Sequence, residues 1–118
     1  MSDDSFCGYI LEQLRRLNIN CRPMFGGYGL YAGENIFGII FQGQLFFATN
    51  DETRGDYIAA GMRPFRPNVK QRLKSYYEVP ADVVEHAAQL EAWARRAIET
   101  KKSAARSTGK KRPPKNSG

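Results

Sequence analysis

Apolar residues recur at helical spacing at the start of the chain and are then grouped into strand-like segments. The residues at helical spacing are Phe6, Ile10, Leu14 and Leu17. They predict an amphipathic helix over residues 5–17. The next segments are rich in glycine and aromatic residues, and they predict strands over 24–31, 36–41 and 44–49. The middle strand is apolar almost throughout, so we expect it to be central and covered on both faces.

The second half of the chain continues with shorter elements that glycine and proline residues separate. The predicted elements are a helix over 52–60, an edge strand over 63–66, a loop over 67–72 and a strand over 73–79. From Pro80 an apolar stripe returns at helical spacing. The stripe comprises Val83, Ala87, Leu90, Ala94 and Ala97. It predicts a final helical region, which could kink near His86.

Together these elements predict an α+β fold in the order α-β-β-β-α-β-β-α. The predicted sheet is mainly antiparallel, with the helices packed on one face. The other face could form a homodimer, because the central strand requires cover on both sides. We expect a single domain over residues 1–100. A disordered basic tail over 101–118 should follow, since its composition cannot bury enough apolar area to fold.

The positive charge of the chain is concentrated in this tail. Residues 1–100 hold 11 Lys or Arg and 12 Asp or Glu, a net charge of −1. Residues 101–118 hold seven Lys or Arg and no acid, a net charge of +7, and the sum is +6. A flexible arm of this kind should bind phosphate backbones without reading sequence. The alternative is a solubilising disordered end, and the composition does not decide between the two.

The N-terminal residues and the cysteines indicate a cytoplasmic protein. The start is acidic and lacks the features of a secretory signal, and no apolar segment is long enough to span a membrane. Cys7 and Cys21 are too far apart in sequence to form a zinc-binding pair. Because a structural disulfide is disfavoured in a reducing compartment, we expect two buried free thiols.

No group of residues in the sequence predicts catalysis, a cofactor or a metal site. Gly26, Gly27 and Gly29 fit no phosphate-binding motif and precede a hairpin rather than a helix, so they predict a structural strand. His86 has no second histidine and no cysteine at ligand spacing, so we expect it on a helix surface. The paired carboxylates lie at helix starts, where the helix dipole explains them. We therefore predict a non-enzymatic protein.

Two basic segments are candidate nucleic-acid contacts. The first has no acids and is interleaved with aromatic residues, and its cations are Arg63, Arg66, Lys70, Arg72 and Lys74. The second is the tail, whose cations are Lys101, Lys102, Arg106, Lys110, Lys111, Arg112 and Lys115. A basic loop beside aromatic residues is typical of a nucleic-acid surface, but also of a solvated loop beside an edge strand.

Residues 24–31, Met-Phe-Gly-Gly-Tyr-Gly-Leu-Tyr, resemble the signature of the TfoX N-terminal domain family. Four further segments resemble this family in order and spacing. They are Asn-Asp-Glu-Thr-Arg at 50–54, Ala-Ala-Gly-Met-Arg-Pro-Phe at 59–65, Ser-Tyr-Tyr-Glu-Val-Pro at 75–80 and Trp-Ala-Arg-Arg-Ala at 93–97. The resemblance covers residues 5–100.

The resemblance implies an α+β fold and a regulatory role without catalytic residues. Members are linked to the regulation of competence for DNA uptake in bacteria. The resemblance implies a transcriptional accessory that acts with a transcription factor such as the cyclic-AMP receptor protein. Longer members carry a second domain where this sequence has its basic tail. We therefore expect a regulator that acts through protein partners, with DNA attracted by the tail; the alternative is a direct DNA-binding module that uses the tail and the loop over 63–74.

Overall fold

The described part of the chain has four helices and six strands. The computed structural model describes residues 3–24, 26–68 and 71–110, without the side chains of 67–74 and 104–110. The helices are α1 (Asp3–Gln13), α2 (Arg54–Ala59), α3 (Ala81–Val84) and α4 (Ala87–Lys110). The strands are β1 (Asn20–Met24), β2 (Gly27–Ala32), β3 (Asn35–Phe41), β4 (Gln44–Ala48), β5 (Pro64–Asn68) and β6 (Gln71–Glu78). Among the described residues, no helix has both the length and the hydropathy needed to cross a bilayer.

The six strands form one antiparallel sheet in the order β1-β2-β3-β4-β6-β5. The predicted α+β fold is confirmed, and β3 lies inside the sheet as expected. The single strand predicted over 24–31 is wrong, because this region contributes to two strands, β1 and β2. Gly26, with a φ of 85°, lies between them. Pro23 is tolerated in β1 because an edge strand does not need every backbone N–H.

The final helical region is interrupted at His86, where α3 ends and α4 follows. The His86 side chain is exposed, and its Nδ1 lies 2.7 Å from the carbonyl oxygen of Asp82. Helix α4 then runs past the predicted boundary at residue 100 and reaches Lys110. Residues 101–110 thus continue the final helix, and they are rich in the strong helix formers Ala, Lys and Arg. The division into a domain and a basic tail stays a prediction. Residues 111–118 lie outside the described part of the chain.

One face of the sheet is covered by helices, and we call it the helix-covered face. Its buried side chains are Leu30, Phe37, Ile40, Leu45 and Phe47. Ile10 and Leu14 bring the apolar side of the N-terminal segment to this layer, and Leu90, Ala94 and Ala97 line the buried stripe of α4. Burying each large side chain contributes about 1.5–3 kcal/mol of transfer free energy. The predicted apolar stripe of the final helix is thus confirmed, except at Ala87, which is exposed.

The opposite face of the sheet is covered mainly by the sheet itself, and we call it the curled face. Phe65 on β5 lies 4.7 Å from Phe46 on β4 and 5.4 Å from Phe41 on β3, measured between ring centroids. Two strands separate β3 from β5, so a flat sheet would hold these two strands about 14 Å apart. The sheet must therefore coil until β5 lies over the face of β3 and β4, and Phe65 is only 2% exposed.

This curling changes the expectation of a homodimer. Ile39, Phe46 and Ala48 all point to the curled face and are buried within a single chain. The central strands are therefore covered on both sides without a partner, which removes the physical reason given above for a dimer. The oligomeric state stays a prediction, and light scattering in dilute solution would measure it.

The glycines of β2 allow close packing on both neighbouring strands. A side chain at Gly27 would overlap the carbonyl oxygen of Ile40 on β3. A side chain at Gly29 would lie 2.9 Å from Met24 Sδ and 3.0 Å from the ring of Tyr31. Glycine is required at position 27 for steric reasons, because the backbone of Ile40 cannot move aside, whereas at position 29 the neighbouring side chains would have to shift.

The two cysteines are joined, so the expectation of free thiols is wrong. Cys7 on α1 and Cys21 on β1 form a disulfide, with their Cα atoms 6.9 Å apart. Their side chains meet because Cys21 pairs with Leu30 and shares its side of the sheet, which is the side that α1 covers. Sequence spacing alone could not show this register. The bond links the first helix to an edge strand of the sheet.

Candidate nucleic-acid interface

Five arginines of the domain are paired with carboxylates, mostly within the helical layer. The pairs are Arg15–Glu12 (3.2 Å), Arg16–Glu91 (3.8 Å), Arg54–Asp51 (3.0 Å), Arg95–Glu91 (2.8 Å) and Arg96–Asp56 (2.6 Å). Two of these pairs join separate elements, since Arg16 reaches α4 and Arg96 reaches α2. Exposed pairs of this kind contribute about 0–1 kcal/mol each to stability. Their charges are compensated, which makes these arginines weak candidates for binding an external anion.

Two other cations lie over tyrosine rings instead. The guanidinium carbon of Arg22 is 4.6 Å from the centroid of the Tyr31 ring, and Nζ of Lys101 is 5.6 Å from that of Tyr76. Neither cation forms an ion pair with any residue that the structure describes. A cation over an aromatic face is attracted by the ring quadrupole, at about 0.5–1 kcal/mol at exposed sites. The rings orient these cations without neutralising their charge.

The strand register explains how Arg22 reaches Tyr31. Arg22 on β1 pairs with Gly29 on β2, and Tyr31 lies two residues further along β2, on the same side of the sheet. Gly29 has no side chain, so the aliphatic part of Arg22 can cross it towards the ring. Arg22 and Tyr31 therefore both belong to the curled face.

Tyr76 on β6 is the tyrosine that Lys101 contacts. It pairs with Ala48, so it also points to the curled face, and it is 7% exposed. Burial, and to a lesser extent the neighbouring Tyr31, raises the pKa of Tyr76 to about 12. Its hydroxyl makes no hydrogen bond to any of the described residues. We call these two cation–tyrosine pairs, Arg22 with Tyr31 and Lys101 with Tyr76, the tyrosine–cation row.

The residues predicted from the sequence are distributed over three places. Arg63 precedes β5 and Arg66 lies within it, and both are exposed. Arg72 and Lys74 belong to β6 and Arg106 and Lys110 to α4, but these four side chains are not described. Lys101 and Lys102 lie on α4, and Lys101 contacts Tyr76. Lys70, Lys111, Arg112 and Lys115 fall outside the described residues. Among the predicted cations whose side chains the structure describes, Lys101 is the one that contacts an aromatic ring.

Arg22 and Tyr31 were not among the predicted site residues. Arg22 is an isolated cation in the sequence, with no basic run around it. Its position becomes informative only when the register of β1 against β2 is known, and the sequence did not predict β1 as a separate strand. No spacing signal in the chain could have identified this pair.

The surface grooves hold little that suggests catalysis. One groove, of about 530 Å³, is open to solvent beside Gly26 and Tyr28, and Asp3 lines it. The Asp3 carboxylate already accepts hydrogen bonds from the backbone N–H groups of Gln42 and Gly43, at 3.0 and 2.7 Å. Across the described ranges, no three His, Cys, Asp or Glu side chains are grouped closely enough to hold a metal ion.

The fold and the surface define a small α+β domain with a cationic, aromatic sheet face and a basic final helix. The family model of the TfoX N-terminal domain matches residues 11–101. The chain therefore belongs to this family, which is regulatory and non-enzymatic and is associated with competence. The match ends close to the predicted domain boundary at residue 100. No curated protein matches the chain.

Proposed function

We propose that the chain is a transcriptional accessory linked to competence for DNA uptake, which acts through protein partners while its basic C-terminal segment attracts DNA non-specifically. One observation carries the DNA part of the proposal. Residues 101–118 hold seven cations and no acid, whereas residues 1–100 have a net charge of −1. Membership of the TfoX N-terminal domain family supports the regulatory part.

The segment is suited to holding DNA rather than to reading its sequence. Lys and Arg side chains that neutralise phosphates release counterions, so affinity falls steeply as salt increases. Phosphate contacts orient a protein on the duplex but carry no sequence information. Promoter selection would therefore come from the partner, for which a transcription factor such as the cyclic-AMP receptor protein is our candidate.

The DNA part is tested by neutralising the segment within the full chain. Because α4 continues to Lys110, truncation at residue 100 would cut a helix, so substitution is the cleaner change. The variant replaces Arg106, Lys110, Lys111, Arg112 and Lys115 with Gln. Fluorescence anisotropy with a labelled duplex should show a log-log salt dependence less steep by up to about 4.5 units for five phosphate contacts. Unchanged affinity and salt dependence would contradict the proposal.

A direct DNA-binding module is the second candidate, and the exposure of Arg63 and Arg66 favours it. Neither side chain is paired with a carboxylate among the described residues, and both lie at β5, an edge strand. An Arg63→Gln/Arg66→Gln variant distinguishes the candidates. The loop predicted over 67–72 is wrong where β5 and β6 extend into it, so the candidate contact is the pair of strands β5 and β6. If the variant loses more DNA affinity than the neutralised segment does, this strand pair is the main contact. If affinity is retained, the strand pair is a solvated surface.

The partner part needs a separate measurement. Purified cyclic-AMP receptor protein bound to a promoter duplex should give a slower-migrating complex when the chain is added. The neutralised variant should still form this complex at higher protein concentration, because protein contacts would remain. A chain that binds duplex alone but never joins the complex would favour the second candidate.

A further inference from the structure

We propose that the tyrosine–cation row binds the phosphate backbone of a nucleic acid, so that the folded domain contacts DNA through Arg22, Tyr76 and Lys101. The inference rests on the DNA attraction proposed above and adds a defined contact to it. Arg22, Tyr31 and Tyr76 lie on the curled face of the sheet, and Lys101 reaches the Tyr76 ring from the final helix.

The first argument is the charge of the row. Arg22 on β1 and Lys101 on α4 each lie over a tyrosine ring, and neither has a carboxylate partner within the described chain. Five arginines elsewhere in the domain do have such partners. Cations without a partner on a surface favour the binding of an anion there. A phosphate suits this role, since a guanidinium binds its oxygens in bidentate fashion.

The second argument is the hydroxyl of Tyr76. The side chain is 7% exposed, yet its hydroxyl has no hydrogen-bond partner among the described residues. Buried polar groups are normally satisfied. A phosphate oxygen bound beside Tyr76 would accept a hydrogen bond from this hydroxyl. Because burial raises the pKa of Tyr76, this hydroxyl keeps its proton and remains a donor at neutral pH.

The geometry favours phosphate contact over base stacking. Proteins that stack bases present open aromatic faces. Here Arg22 already covers the Tyr31 ring, Lys101 covers the Tyr76 ring, and Tyr76 is largely buried. Arg, Lys and Tyr are all residues that bind phosphates in protein–DNA complexes. An acidic protein segment could also satisfy two cations, but the row continues into residues 101–118, whose charge of +7 suits a polyanion such as DNA.

The test measures DNA affinity against salt for full-length variants, by fluorescence anisotropy with a labelled duplex of arbitrary sequence. Arg22→Gln removes one phosphate contact and should weaken binding about five- to tenfold near 0.1 M salt, with a log-log slope less steep by about 0.9. Tyr76→Phe keeps the ring and the charge, so it should weaken binding about two- to tenfold with an unchanged slope. Arg15→Gln is the matched control, because it removes the same charge from a residue paired with Glu12. It should alter neither quantity measurably.

These results separate the inference from the proposed function. If Arg22→Gln and Tyr76→Phe behave like Arg15→Gln while the neutralised C-terminal segment loses affinity, the proposed function stands and the inference is overturned. If the wild-type chain binds no DNA at moderate salt, both fail. Binding of labelled poly-glutamate that Arg22→Gln weakens, without binding of DNA, would also overturn the inference and indicate an acidic protein partner. Thermal unfolding of each variant confirms that it is folded.

Discussion

The helix-covered face and the curled face of the sheet both bury apolar side chains, but the charged residues around them differ in their partners. On the first, helices supply the cover, and arginines of the helical layer such as Arg16 and Arg96 are paired with carboxylates of other elements. On the second, the sheet coils over itself, and Arg22 and Lys101 lie over tyrosine rings.

This difference shows what each kind of cover allows. Helices bring many exposed side chains of both signs, so their cations find partners close by. At the margin of the curled face, Arg22 from the sheet and Lys101 from α4 have no carboxylate partner among the described residues, so their charge is available to an external anion. The curled face therefore combines a core with a binding surface. The predictions below test this contrast, beginning with the largest expected change.

The largest effect is expected for Phe65→Ala, which removes the side chain that closes the curled face. Phe65 is 2% exposed and contacts Phe41 and Phe46. We expect the free energy of unfolding to fall by about 3–5 kcal/mol, as for Phe47→Ala on the helix-covered face. Urea unfolding measures both. Ile58→Ala is the control, because Ile58 is 55% exposed and its loss should cost under about 1 kcal/mol. If Phe65→Ala costs no more than the control, the curled face is not a second core.

The next effect concerns the disulfide that links the helical layer to β1. Cys7→Ala/Cys21→Ala should lower the free energy of unfolding by about 3 kcal/mol, since the bond closes a loop with a sequence separation of 14. Urea unfolding with and without a reductant measures this. Reductant should destabilise the wild-type chain and leave the double variant unchanged. A wild-type chain that is insensitive to reductant would mean that the thiols are free in solution, as the sequence suggested.

The helix-covered face could be predicted from the sequence and the curled face could not. Residues such as Leu90 and Ala94 form a helical stripe, and this pattern predicts burial because a helix has a fixed period. The aromatic residues of the curled face have no comparable pattern. Phe65 and Phe41 meet only because the sheet coils, and coiling depends on the whole set of strands rather than on local spacing.

The candidate site, too, could be predicted from the sequence only in part. The cations of residues 101–118 were found because charge along the chain is visible in the sequence. Arg22 was not, because it depends on the register of a strand that Pro23 and the glycines obscured. The disulfide was missed for a related reason: an argument from compartment chemistry cannot show which side chains the sheet brings together.

A matched pair of glycine substitutions gives a smaller effect of opposite sign. Gly27→Ala should lower the free energy of unfolding by about 1–3 kcal/mol, because the added methyl group overlaps the Ile40 carbonyl oxygen and the backbone must shift. Gly8→Ala adds the same group to α1, where no atom lies within 4 Å of it. It should stabilise the chain by about 0.5–1 kcal/mol, as alanine does within a helix. Thermal or urea unfolding measures both. Equal effects at the two positions would argue against the close packing of β2 on β3.

The last test compares the two faces through the ionisation of one buried tyrosine from each, and it concerns stability at high pH only. Burial raises the pKa of Tyr76 to about 12 and that of Tyr57, under α4, well above its ordinary value. An unfolded tyrosine titrates near pH 10. Above that pH the unfolded chain loses protons that the folded chain retains, so the contribution of these two tyrosines to the free energy of unfolding should fall as pH rises from about 10 towards 12 and should be constant well below pH 10. Urea unfolding as a function of pH measures this fall, and absorbance of the native chain should show these two tyrosines ionising after the exposed ones.

Tyr76→Phe should remove part of that fall and leave the part due to Tyr57. If Tyr76 instead titrates near pH 10 in the native chain, its hydroxyl is solvated. The curled face would then be open at the tyrosine–cation row, and the argument from an unsatisfied buried donor would no longer hold.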